Sequence, residues 1–191
     1  MAKIAVFASG NGSNFEVLAK SFMDDRENKI EILICNIKDA YVLKRAEKLN
    51  VPFEIVIYNK EEKNIAEEKI LNILKNYKID VIFLAGFMKI LSGDFIRNCR
   101  IPIINIHPAL LPKYKGTHSI QRAFESNDEE IGISIHYVIE EVDSGELILQ
   151  KSIPLHREKG LDFVEEEVHK LEHQWYPVIA KKICDWINKN R

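Results

Sequence analysis

Three side chains in this sequence have the types and spacing for acid–base and electrostatic chemistry. Asn105-Ile106-His107-Pro108 follows a short apolar run. Alternation along a strand puts Asn105 and His107 on one side and Ile106 on the other. An amide donor beside an imidazole suits stabilisation of an oxygen that gains negative charge during a reaction. Pro108 and Pro112 stiffen the loop that follows. Asp143 lies in the acidic, glycine-containing stretch Glu140-Glu141-Val142-Asp143-Ser144-Gly145 and is the natural partner for His107. A carboxylate there favours the protonated imidazole and fixes its orientation.

A second candidate is Ser9-Gly10-Asn11-Gly12-Ser13-Asn14, where a first strand hands over to a first helix. Glycines let the backbone approach an anion, and a helix start offers unpaired N–H groups with a favourable dipole. The dinucleotide fingerprint is half met. Phe15 takes the third glycine position, and Cys35-Asn36 stands where a ribose-binding carboxylate belongs. No Gly-Lys-Ser/Thr follows, so the loop is not of the P-loop kind. One phosphate group is the ligand that this pattern fits; a capped tight turn is the bland alternative. A third candidate, His169-Lys170-Leu171-Glu172-His173, matches the H-x-x-E-H pattern of a zinc peptidase family. Only 18 residues follow His173, with Asp185 the sole carboxylate side chain among them. No metal is expected, and the segment reads as a polar helix face with Glu172 directed toward a ligand.

The elements that must position these groups follow from hydrophobic spacing. Ile4–Ala8, Ile30–Cys35, Phe53–Ile57, Val81–Leu84 and Ile103–Ile106 are near-continuous apolar runs, as expected of strands buried on both faces. Helical stretches lie between them. In Lys63–Tyr77, the residues Ala66, Ile70, Ile73, Leu74 and Tyr77 share one face, and Ser92–Arg97 is a shorter candidate. Alternating strands and helices imply an α/β fold with a doubly wound, mostly parallel sheet. Ile131–Ile139 and Glu146–Ile153 predict an antiparallel addition. A long C-terminal helix follows from the spacing of Val164, Val168, Leu171, Trp175 and Val178, with a kink or break expected at Pro177. No repeat or linker divides residues 1–191, so one domain is expected.

Composition narrows the function classes. The chain has 191 residues, 27 basic and 29 acidic, for a net charge of −2, and 46% of it is hydrophobic. With no basic run, neither nucleic acid nor an anionic membrane surface is an expected partner. Cys35, Cys99 and Cys184 are scattered and read as reduced thiols. No apolar run reaches the ~18–20 residues of a membrane span, and no leader is evident, so a cytoplasmic location is expected.

Taken together, Gly10-Asn11-Gly12-Ser13-Asn14, Leu84-Ala85-Gly86-Phe87-Met88-Lys89-Ile90-Leu91, Asn105-Ile106-His107-Pro108 with Leu110-Leu111-Pro112, Asp143-Ser144-Gly145 and Glu172-His173 resemble, in order and spacing, the phosphoribosylglycinamide formyltransferases. These are folate-dependent transformylases of purine synthesis, with a Rossmann-like fold. The resemblance runs from Lys3 to Pro177. It implies formyl transfer from 10-formyltetrahydrofolate to a glycinamide amine, with small molecules as the partners and a monomer or homodimer as the assembly. It also implies a phosphate-binding N-terminal half and a folate-binding C-terminal half. Carried over by motif, Gly12, Ser13 and Asn14 hold the ribose phosphate, and Glu172 binds the glycinamide. Asn105, His107 and Asp143 form the catalytic set. Met88, Lys89, Ile90, Leu91, Asn105 and Lys63 contact folate. Lys63 and Lys89 stand where relatives often have arginine, which keeps the charge but loses the planar fork. A non-catalytic module that binds a ribose phosphate is the rival from another class.

Overall fold

The computed structural model describes residues 1–59 and 61–191. Its seven strands are β1 (Ala2–Ala8), β2 (Asn28–Cys35), β3 (Phe53–Ile55), β4 (Val81–Leu84), β5 (Ile103–His107), β6 (Glu130–Tyr137) and β7 (Leu147–Pro154). They form one sheet in the order β3-β2-β1-β4-β5-β6-β7. The pairings among β1 to β5 are parallel, while β6 runs antiparallel to both β5 and β7. The helices are α1 (Ser13–Phe22), α2 (Tyr41–Lys48), α3 (Lys63–Tyr77), α4 (Gly93–Cys99), α5 (Ser119–Phe124) and α6 (Leu161–Lys189).

Strand alternation divides the interior into two layers. Ile4, Val6, Leu33, Cys35, Phe83, Ile104 and Ile106 pack with α1, α2, α5 and α6 on one face. Ala5, Phe7, Ile32, Ile34, Ile82, Leu84 and Ile103 pack with α3 and α4 on the other. Residues of β5 and β6 that alternate with Ile104, Ile106, Ile131, Ile133 and Ile135 therefore turn away from the α6 layer. They are Asn105, His107, Gly132, Ser134 and His136. These polar residues break the apolar pattern at the carboxyl end of β5, where ligands of open α/β sheets bind.

Two expectations need correction. The run Phe53–Ile57 gives only a three-residue strand, because β3 is a sheet edge with a single partner, β2. Helix α6 passes through Pro177 without a break. Proline costs the helix one N–H, but Tyr176, Ile179 and Ala180 around it are buried in the core, and that packing carries the helix through the proline. The Tyr176 hydroxyl also donates toward the carbonyls of Leu84 (2.8 Å) and Ile104 (3.2 Å). No helix among the described residues is long and apolar enough to cross a membrane.

Candidate active site

Strand β5 ends on His107, and β6 pairs with it so that Asn105 faces His136 and His107 faces Ser134. The loop after β5 is pinned by Ser134, whose Oγ donates to the Ala109 carbonyl (2.7 Å) and accepts from the Leu111 N–H (3.0 Å). His107, 5% exposed, is thereby fixed below that loop. Its Nε2 lies 2.9 Å from the Tyr114 carbonyl, and its Nδ1 lies 3.4 Å from Asp143 Oδ2. A carbonyl and a carboxylate only accept, so both ring nitrogens face acceptors.

Asp143 reaches this point from the β6–β7 connection with a left-handed backbone, φ 50°. Its Oδ2 accepts from the Gly116 N–H (2.8 Å), and its Oδ1 lies 3.4 Å from Asn105 Nδ2 and 3.6 Å from His136 Nε2. Burial pushes the carboxyl upward. Hydrogen bonds from His136 and Gly116 and the nearby imidazole charges outweigh it, holding Asp143 below the usual carboxylate range. Asn105, His107 and Asp143 are thus brought together, although Asp143 lies 38 positions beyond Asn105 in the chain.

The glycine loop leaves β1 two strands away, since β4 lies between β1 and β5. At ~4.8 Å per strand the gap is roughly 10 Å. Gly12 takes φ 79° immediately before α1, and an added Cβ there would collide with the Val42 side chain. Ser13 and Asn14 open α1, so their N–H groups lack intrahelical partners. Asn14 Nδ2 donates to Glu172 Oε2 (3.1 Å), which also accepts from His169 Nδ1 (2.7 Å). That bond raises the His169 pKa against the opposing effect of burial. Asn14 Oδ1 and His173 Nε2 are buried without a partner. The His169 and His173 rings stack with centroids 6.5 Å apart, and among the described residues no three His, Cys, Asp or Glu side chains group to hold a metal.

Between the two loops, the segment after β4 crosses the carboxyl edge of the sheet. Met88, Lys89 and Ile90 are exposed, whereas Leu91 is buried in the α3–α4 layer. The Met88 N–H donates to Ser9 Oγ (2.8 Å). Below it, buried Glu67 accepts from Tyr58 Oη (2.6 Å) and the Ser92 N–H (2.8 Å), and also from the Ser92 hydroxyl. Lys63 Nζ lies 4.0 Å from the same carboxylate.

Residues 2–179 match the formyl transferase family. The chain belongs to that family. It is 37% identical over 193 residues to the phosphoribosylglycinamide formyltransferase of Bacillus subtilis (strain 168), covering 99% of this chain and 98% of the relative. It is 33% identical over 185 residues to the human trifunctional purine biosynthetic protein adenosine-3, covering 96% of this chain and 18% of that protein. The crystal structure of phosphoribosylglycinamide formyltransferase from Streptococcus pneumoniae TIGR4 superposes with a TM-score of 0.89 at 37% identity, covering 96% of this chain and 99% of that one.

Sequence reasoning missed two members of this candidate site. His136 is 1% exposed, donates from Nδ1 to the Tyr137 carbonyl (2.8 Å), and places Nε2 3.3 Å from Asn105 Nδ2. Its Nε2 therefore sits between the Asn105 amide and Asp143 Oδ1. The signal was present in Ile133-Ser134-Ile135-His136, where polar residues alternate with isoleucine in a buried strand. Tyr114 contributes only its carbonyl, which no side-chain pattern reveals.

Proposed function

We propose that this formyl transferase moves the formyl group of 10-formyltetrahydrofolate to the amine of 5-phosphoribosylglycinamide, in purine synthesis. The observation that carries this reading is the convergence of Asn105, His107 and Asp143 at the carboxyl end of β5. Residues 1–191 act as one unit, the phosphate bound on the β1 side and folate on the β4–β6 side. Ser13 and Asn14 with Gly12 receive the phosphate at the start of α1, and Glu172 meets the glycinamide. Met88, Lys89, Ile90 and Leu91 border folate through main-chain and apolar contacts. Lys63 offers charge to its acidic tail, and Asn105 touches its formyl end.

The neutral amine attacks the formyl carbon, and the carbonyl oxygen becomes an anion. His107 Nε2–H, which rests on the Tyr114 carbonyl, passes to that oxygen, together with the loosely held second N–H of Asn105. Asp143 keeps the imidazole charged and accepts, through water, the proton that leaves the amine. That proton then goes to the folate nitrogen as the C–N bond breaks. Holding both substrates in one cleft adds the gain of positioning.

The test is incubation with 10-formyltetrahydrofolate, with and without 5-phosphoribosylglycinamide, following deformylated folate. Release that requires the amine, with stoichiometric formylated product, supports transfer. Release without the amine means hydrolysis, and no release with ribose phosphate still bound means a binding module; either result overturns the reading.

A further inference from the structure

The loop from Gly10 to Asn14 takes its shape from α2, more than thirty residues further along the chain. The Val42 N–H donates to the Gly10 carbonyl (3.1 Å), and the Val42 side chain fills the space beside Gly12. One turn later, Arg45 faces the loop with all three guanidinium nitrogens engaged. Nε donates to the Asn11 carbonyl (2.9 Å), Nη2 donates to Asn11 Oδ1 (2.8 Å), and Nη1 pairs with Glu16. The ring of Tyr41 lies against the guanidinium, 4.9 Å from its centre.

We propose that Arg45 is a positioning residue for the phosphate of the amine substrate, acting through the Asn11–Gly12 peptide and Glu16. This rests on the reading above that the loop receives that phosphate. In a trans peptide the carbonyl and the N–H point in opposite directions. Fixing the Asn11 carbonyl on Arg45 therefore turns the Gly12 N–H away from α2, toward the start of α1. Glu16 lies in the first turn of α1, where its charge would oppose an incoming dianion. Arg45 on one carboxylate oxygen and Lys20 on the other (2.6 Å) cancel that charge. A lysine at position 45 keeps one positive charge but cannot span Asn11 and Glu16 together, because it lacks the planar fork.

The experiment measures steady-state kinetics of the full chain, Arg45→Met, Arg45→Lys and Asn11→Ala with 5-phosphoribosylglycinamide and with its dephosphorylated riboside. Arg45→Met is expected to raise KM for the phosphorylated amine ~10- to 100-fold, the scale of losing charge-assisted contacts, with kcat within about threefold. KM for the folate and kcat/KM for the riboside stay unchanged. Arg45→Lys recovers little, and Asn11→Ala, which removes one of the contacts, raises the same KM a few-fold and serves if Arg45→Met fails to fold. An unchanged KM in these variants, full rescue by lysine, or equal losses for both amines would overturn the proposal. Absence of turnover in the unmodified chain instead overturns the function proposed above.

Discussion

On the β1 side of the cleft the main chain itself is held, by neighbouring backbone and by α2. The Ser9 N–H bonds the Gly86 carbonyl (3.1 Å), Val42 N–H bonds Gly10, and Phe15 and Leu18 of α1 are fully buried. On the β5–β6 side the segments beyond His107 are joined mainly through side chains. Asp143 holds the Gly116 N–H, and Lys115 reaches Ser144 (2.5 Å) and exposed Glu141 (3.3 Å). Tyr114, Gly116, His118 and Asp143 there all have positive φ. A non-glycine residue in that region costs about 1 kcal/mol or more, so the surrounding contacts must over-determine it. The difference teaches a division of labour. On the proposed function, a permanently charged phosphate would meet a preset cradle, whereas the reacting carbon would meet groups whose contacts are exchanged as the reaction proceeds.

Breaking the second side should cost turnover rather than folding. His107→Ala and Asp143→Asn are expected to lower kcat by ~10²–10³ or more, the scale of losing oxyanion stabilisation, while thermal unfolding shifts little. Near-normal turnover with both would remove the proposed roles. The acid limb of the rate profile sharpens the same contrast. Rate should fall about tenfold per pH unit once the amine is protonated below ~8. Asp143, held below the ordinary carboxylate range, stays ionised throughout, so a limb that moves in Asp143→Asn would contradict this assignment.

Breaking the first side should cost stability and substrate affinity. Gly12→Ala forces a Cβ into a left-handed position against Val42. A loss of about 2–3 kcal/mol in urea unfolding is expected, with KM for the phosphorylated amine raised more than KM for folate. The smallest effect concerns His169. Its folded pKa is raised by Glu172, so its contribution is complete below the unfolded value of ~6.5 and fades as pH rises through the folded one. His169→Ala should therefore destabilise more at pH 5.5 than at pH 9, by about 0.5 kcal/mol or less because the side chain is half exposed. Equal losses at both pH values would show that packing alone is involved.

Most of the fold was legible because buried parallel strands write themselves as continuous apolar runs, as Val81–Leu84 and Ile103–Ile106 do. Helix α3 was legible to the residue, from Lys63 to Tyr77, because its buried face repeats at spacings of three and four. No break occurs at Pro177 because a local rule about one N–H was overridden by the packing of Tyr176 and Ala180. At the site, Asn105 and His107 stood out through their spacing in one strand. His136 did not, since its partner lies 31 positions away in β5 and only the antiparallel register unites them. Arg45 was invisible for the same reason: an arginine on a short amphipathic helix carries no mark of the carbonyl it will hold.

The pairing of Asn105 with His136 also limits how this protein can change its length. An inserted or deleted residue in the connection between Tyr137 and Leu147 displaces Asp143 from Asn105 and Gly116 but leaves the alternation of the strand intact. The same change within Glu130–Tyr137 would turn every side chain of that strand over. Isoleucines would then face the cleft, and Ser134 and His136 would be driven into oil, so an indel in the strand should cost the fold where one in the connection costs only the site.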